Sequence, residues 1–266
     1  MHNDDPEMNK MPLLDHLIEL RNRMMWAFGA VGVLFLVCYY FSSDIYGFLV
    51  RPLANLVGTD SGRRMIYTGM AEAFFTYVKV SFWSAVFLAF PVIATQLWMF
   101  IAPGLYRHEK RAFLPFLVAT PFMFFLGGAV AYYVIFPLAW QFFLGFESAG
   151  GDGTLPIQLE ARVAEYLSIV MTLIFAFGIA FETPVLLTLL AHVGIVTAAG
   201  LRSARRFIIV GVFVIAAIVT PPDPISQITL AIPILILFEL SVLLIARMER
   251  RRAAREAAEE AGESAA

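Results

Sequence analysis

Residues 207–246 read Phe207-Ile208-Ile209-Val210-Gly211-Val212-Phe213-Val214-Ile215-Ala216-Ala217-Ile218-Val219-Thr220-Pro221-Pro222-Asp223-Pro224-Ile225-Ser226-Gln227-Ile228-Thr229-Leu230-Ala231-Ile232-Pro233-Ile234-Leu235-Ile236-Leu237-Phe238-Glu239-Leu240-Ser241-Val242-Leu243-Leu244-Ile245-Ala246. Two apolar runs, 207–220 and 225–246, meet at a proline-rich turn. The prolines after Thr220 stop the first helix, and so tight a turn leaves no room for a domain between the two. The pair reads as a hairpin of helices in a bilayer. Its first arm has 14 residues, near 21 Å at about 1.5 Å per residue and short of a roughly 30 Å hydrocarbon core. A core helix of a soluble protein is the rival reading. The apolar runs on either side, and the polar or proline-rich ends of this one, decide against it.

Working outward, four more runs approach the roughly 20 apolar residues that a span needs: 24–41, 81–100, 113–136 and one within 166–191. The expected fold is an all-α membrane domain of six spans over residues 1–247, followed by a tail, 248–266, that reads as a frayed helix or as disordered. Composition agrees. Apolar residues make up 60% and charged residues 15% of the 266, against roughly 45–50% and about 25% in soluble domains. The single cysteine, Cys38, lies inside an apolar run, so no disulfide framework exists. Residues 1–10 lack the basic-then-apolar pattern of a signal peptide, which leaves the first span to direct insertion.

The loops orient the chain. Lys10, Arg21, Arg23, Arg107, Lys110, Arg111, Arg202, Arg205, Arg206, Arg247, Arg250, Arg251, Arg252 and Arg255 fall on one side of a six-span arrangement. Arg51, Arg63, Arg64, Lys79 and Arg162 fall on the other. That division takes in all 19 basic residues and recurs at every loop, so the positive-inside rule puts both termini in the cytoplasm of a cell (inner) membrane protein. On the cytoplasmic side, Leu13, Leu17, Leu20 and Met24 form one stripe, which predicts a separate amphipathic helix over 12–23. On the outer side, Ile45, Phe48, Leu49, Leu53 and Leu56 recur at helical spacing around Arg51 and Pro52, which predicts a helix lying on the membrane surface.

Acidic residues are the candidates for chemistry. Glu19, beside Arg21 and Arg23, and Glu109, in His108-Glu109-Lys110-Arg111, lie at the cytoplasmic surface. A local ion pair is one reading of each. The other is a joint site for a cationic ligand, since carboxylates pair with guanidinium groups in a bidentate, charge-assisted way. Glu182 lies inside the fourth span before Thr183-Pro184. A charge at the bilayer centre costs about 2.5–3.5 kcal/mol on insertion scales, so Glu182 needs a partner, a cavity or a proton. A structural hydrogen bond and a functional polar patch both remain open. Glu239 in the sixth span is a weaker case of the same kind. Asp223, with Gln227, marks the outer end of the hairpin, as a helix cap or as a functional position.

Enzymatic readings fail on spacing. His108-Glu109 begins like a zinc-protease helix, but Ala112 stands where the second His belongs. There is no nucleophile elbow and no phosphate-binding loop. No catalytic residue, metal, cofactor or nucleic-acid partner is expected. A proton-coupled small-solute transporter, with Glu182 and Glu239 as relay groups, is the alternative. Internal repeats would support it, and none is evident.

Four runs carry a resemblance: His16-Leu17-Ile18-Glu19-Leu20-Arg21-Asn22-Arg23, Phe100-Ile101-Ala102-Pro103-Gly104-Leu105-Tyr106-Arg107-His108-Glu109-Lys110-Arg111, Phe177-Gly178-Ile179-Ala180-Phe181-Glu182-Thr183-Pro184, and Thr220-Pro221-Pro222-Asp223-Pro224-Ile225-Ser226-Gln227. In this order and at these intervals the chain resembles the TatC family, the receptor subunit of the twin-arginine protein translocase, from about Pro12 to Arg247. The resemblance implies recognition of folded cargo by a signal peptide bearing two adjacent arginines. It also implies TatA- and TatB-type single-span partners, self-association in a complex, and transport driven by the proton-motive force. It implies that Glu19 and Glu109 receive the arginine pair and that Arg21, Arg23, Phe100, Arg107 and Arg111 shape that surface. Glu182 and Pro184 would meet a partner helix, and Pro52, Tyr132 and Asp223 are further functional positions. Thr183 departs from the aliphatic residue that many relatives carry.

Overall fold

A computed structural model describes residues 13–58, 63–105, 110–151, 155–219 and 224–263. Its helices are α1 (Leu13–Tyr40), α2 (Ser42–Val57), α3 (Glu72–Leu105), α4 (Lys110–Val130), a π-helical segment (Ala131–Ile135), α5 (Phe136–Leu144), α6 (Val163–Phe181), α7 (Thr183–His192), α8 (Ala198–Val219) and α9 (Pro224–Glu263). Among the described residues there are no strands, only two isolated bridges, Ile66 with Arg162 and Ser148 with Ile157. Five segments are long and apolar enough to cross a membrane: His16–Tyr40, Glu72–Phe100, Leu114–Leu144, Val163–His192 and Gln227–Arg255. The helix α8 is the sixth of the all-α arrangement, and its apolar part is the short one.

Helical boundaries depart from the sequence expectation where it lacked a stop signal. The amphipathic stripe over 12–23 is helical from Leu13 and continues without a break into the first span. Nothing between Leu13 and Ala27 is a glycine or proline, so the backbone has no reason to turn. The second span likewise begins earlier than 81, at Glu72. The third passes 136 and reaches Leu144 through the π-helical turn. The tail is helical to Glu263.

The helices approach closely where side chains are small. On α6, a Cβ added to Gly178 would sit 2.6 Å from the Phe124 ring. On α4, one added to Gly127 would collide with the Phe177 carbonyl. This close crossing seats Phe124 flat on Phe90 of α3, with ring centroids 3.6 Å apart. The main core runs on from there through Tyr132, Phe136, Trp140, Tyr166, Leu167, Val170 and Phe177.

The amphipathic helix α2 exists as expected, with Leu49, Pro52 and Leu53 buried. It ends at Gly58, whose φ of 79° suits a residue without a Cβ. Two hydrogen bonds tie α2 to the bundle. Tyr132 Oη donates to the Phe48 carbonyl at 2.7 Å, and Tyr166 Oη donates to the Leu49 carbonyl at 3.0 Å. At the same end, the connection after α2 meets the connection after α5. Arg63 clasps Glu147 with two bonds of 3.0 and 2.8 Å, and the Leu159 amide donates to Glu147 Oε1 at 2.9 Å. The Leu159 amide first, and Arg63 second, hold the Glu147 carboxyl below its ordinary range.

Polar contacts among the described residues help hold α8 against α9, beside the packing of Ala198 and Leu201 on Phe238, Val242 and Ile245. Arg205 grips Glu239 through Nε–Oε1 at 2.7 Å and Nη2–Oε2 at 2.8 Å. Glu249 of α9 accepts the Ala198 amide at 2.9 Å and so caps the start of α8. At the opposite end, Gln227 Nε2 donates to the Phe213 carbonyl at 2.9 Å.

Candidate functional site

Two polar groupings lie at the depth and position that the sequence singled out. The first is a cleft between α1 and α3, about 650 Å³, lined by Ile18, Glu19, Asn22, Arg23, Trp26, Gln96 and Met99. Glu19 and Arg23 are four residues apart on one helix and therefore on one face. Arg23 bonds Glu19 Oε1 through Nη2, and through Nε at 2.9 Å. This is the local ion pair of one sequence reading. It engages only one oxygen, however. Glu19 Oε2 is buried and has no hydrogen-bond partner among the described residues. A carboxylate has room for several donors, and a desolvated oxygen left without one is costly. The cleft thus offers an acceptor for an incoming cation while Arg23 holds the carboxylate in place.

Phe100 is brought to the same place. Its ring stacks on His16, with centroids 4.3 Å apart and planes at 15°. This contact fixes the start of α1 against the end of α3. Arg21 points elsewhere on α1, exposed and bonded to Asn22 at 3.3 Å. The backbone of Arg111 lies in the first turn of α4. Glu109 and Arg107 lie outside the described residues. His16, Asn22, Trp26 and Gln96 went unnoticed in the sequence as site residues. Gln96 stands one helical turn before Phe100, a spacing that would have found it.

The second grouping surrounds Glu182. The helix breaks here: α6 ends at Phe181, α7 begins at Thr183, and Pro184 occupies the first turn of α7. The Glu182 amide donates to the Ile179 carbonyl at 3.0 Å, an i→i−3 bond that tightens the last turn of α6. The side chain is 7% exposed. Thr120 of α4 stands beside it and accepts from Trp98 Nε1 of α3 at 3.0 Å. Indole, hydroxyl and carboxyl are thus gathered from three helices. Glu182 Oε1 has no partner among the described residues. Inside a bilayer such a group is expensive and binds a further donor or a proton. Trp98 and Thr120 escaped the sequence reading because they are 22 residues apart and meet only through packing.

The remaining candidates separate from these. Glu239 is committed to Arg205, on a half-exposed face of the hairpin. Gln227 is committed to the Phe213 carbonyl. Asp223 lies outside the described residues. Pro52 and Tyr132 come together at α2, far along the chain from Glu19 and linked through the Phe48 carbonyl. No group of three or more His, Cys, Asp or Glu suited to a metal occurs among the described residues.

Residues 15–233 match the family described as TatC, Sec-independent protein translocase protein. A protein of that description from Magnetococcus marinus is 53% identical over 252 residues, 95% of this chain and 90% of its own. One from Escherichia coli is 44% identical over 231 residues, 87% of this chain and 86% of its own. A crystal structure of a twin-arginine translocase receptor, TatC, superposes with a TM-score of 0.74 at 38% identity, covering 86% of this chain and 97% of that one. A second, in the detergent DDM, superposes with a TM-score of 0.75 at 37% identity.

Proposed function

Because the chain belongs to the TatC family of Sec-independent protein translocases, a multi-pass membrane component with no enzymatic role, we propose that its α1–α3 cleft receives the arginine pair of a twin-arginine signal peptide. The half-satisfied carboxylate of Glu19 carries this reading: one oxygen is held by Arg23, and the other is buried with no partner among the described residues. Glu109 supplies the second carboxylate, so that two guanidinium groups meet two acceptors. The cleft lies at the end where α1 begins. The charge division of the loops makes that end cytoplasmic, with both termini inside and the bundle in the cell membrane, so the cleft faces arriving cargo.

Glu182 serves a different partner. Its second oxygen, at the break between α6 and α7 and without a partner among the described residues, suits a polar side chain on a TatA- or TatB-type single-span helix. Transport of the folded cargo then draws on the proton-motive force. The small-solute transporter reading loses its relay, because Glu239 is neutralised by Arg205, away from the polar group around Glu182.

A pull-down with a twin-arginine peptide and its Lys-Lys counterpart tests the proposal. The planar guanidinium fork fits a carboxylate and the ammonium does not. A charged hydrogen bond contributes about 1.5–3 kcal/mol, so the Arg-Arg peptide should bind at least roughly ten-fold tighter. Equal retention of the two peptides would refute it.

A further inference from the structure

On the flank of the bundle, α2, α3, α4, the π-helical segment and α6 enclose a recess of about 340 Å³ that no part of the proposed translocase chemistry uses. Its walls are almost wholly apolar and aromatic, among them Phe48, Trp83, Phe87, Phe125, Tyr132 and Phe175. Phe48, Trp83, Leu88 and Tyr133 are also exposed on the outside of the bundle, so the recess opens sideways. Trp and Tyr side chains mark the headgroup level of a bilayer, and α2 lies across the recess at that level. Arg51 stands one turn beyond Phe48 on α2. It is exposed, on the helix that carries the lining residues Phe48 and Leu49. It forms no ion pair with a described residue. The nearest carboxylate on that face of α2, Asp44, is two turns away, about 10 Å along the helix.

We propose that this recess is a phospholipid site: one acyl chain lies in the aromatic slot and an anionic headgroup phosphate rests on Arg51. Size and charge together select this occupant. A transmembrane helix is about 10–12 Å across and does not enter a recess of 340 Å³. That volume is at the small end of the roughly 300–1,000 Å³ range of ligand pockets, and a single chain fits it. The Arg51 guanidinium, one turn beyond the lining residue Phe48 and without an ion pair among the described residues, then adds a preference for a phosphate of net negative charge. Pro52 and Tyr132 hold the wall: the bond from Tyr132 to the Phe48 carbonyl sets the Phe48 ring flat against Tyr132, with centroids 4.3 Å apart and planes at 3°.

Trp83 lines the slot and reports on it. Full-length protein in maltoside detergent is titrated with chain-brominated phosphatidylglycerol or phosphatidylcholine, and the Trp83 signal is the difference between wild type and Trp83→Phe. Saturable quenching is expected, with phosphatidylglycerol binding roughly five-fold tighter, the effect of one basic residue near a membrane phosphate. The exposed Arg51→Gln change should abolish that preference without loss of quenching. Ser84→Leu, which fills the slot, should abolish the quenching in protein that stays monodisperse. Quenching that never saturates, or that is equal for the two headgroups, overturns the proposal. So does a photoreactive residue at Leu88 that captures a polypeptide rather than a lipid in native membranes.

Discussion

Tyr132 Oη donates a 2.7 Å hydrogen bond to the carbonyl of Phe48, which is the carbonyl that Pro52 leaves without a helical donor. Proline lacks the N–H that would reach back four residues. The substitute comes from a residue 84 positions later. Tyr132 sits in the π-helical turn Ala131–Ile135, where one extra residue per turn re-aims side chains. Two residues implied as functional by resemblance are therefore halves of one device that locks the surface helix onto the bundle.

Tyr132→Phe keeps the ring stack and removes the donor. The part-buried carbonyl is then unsatisfied, at a cost of about 1–3 kcal/mol. Pro52→Ala returns an N–H to the same carbonyl. In that background Tyr132→Phe should cost clearly less, and thermal unfolding of the four proteins in detergent gives the coupling directly. An equal cost in both backgrounds would show that the bond does not answer to Pro52.

Glu182→Ala should leave signal-peptide binding intact and weaken co-purification of the single-span partners. An interhelical hydrogen bond in a membrane is worth about 1–2 kcal/mol, so the loss should be roughly 5–30-fold. Glu182→Gln keeps an acceptor and a donor and should retain most of the association. Normal partner recovery with Glu182→Ala would remove this carboxyl from the partner contact.

The clasp of Arg63 and Leu159 on Glu147 carries a pH dependence. Its folded pKa is lowered, by the Leu159 amide first and Arg63 second. Such a group stabilises the fold fully above its unfolded pKa, about 4.5, and loses that contribution as pH falls through the lower folded value. The exchange protection of the Leu159 amide, corrected for the intrinsic rate, should therefore fall only below about pH 4.5. Glu147→Gln should flatten the profile, and a transition near neutral pH would assign the effect to another group.

Much of the fold was legible because lipid forces it to be. A bilayer leaves the backbone no hydrogen-bond partner but itself, so each long apolar run had to be a helix. The junction at Arg23 and Met24 was not legible. The composition changes there, but the backbone carries no breaker, and α1 runs through. The expected third span ends at 136, just before Pro137. The π-helical turn before it absorbs the ring, and the helix continues to Leu144. In the cleft, the Glu19–Arg23 pair could be read from a four-residue spacing. The surroundings of Glu182 and the partner of Glu239 could not, because Thr120 and Arg205 come to them from other helices. Sequence marks which carboxylates are out of place in a membrane. Only packing says which of them are already satisfied.

Affinity of a twin-arginine signal peptide for wild type, Glu19→Ala, Glu109→Ala and the double variant tests the central claim most directly. Photocrosslinking or fluorescence titration of detergent-solubilised full-length protein reads it. Each single change should weaken binding by about 1.5–3 kcal/mol, roughly ten-fold or more. The double variant should lose the preference for Arg-Arg over Lys-Lys. A double variant that binds the Arg-Arg peptide with wild-type affinity would contradict recognition through these two carboxylates.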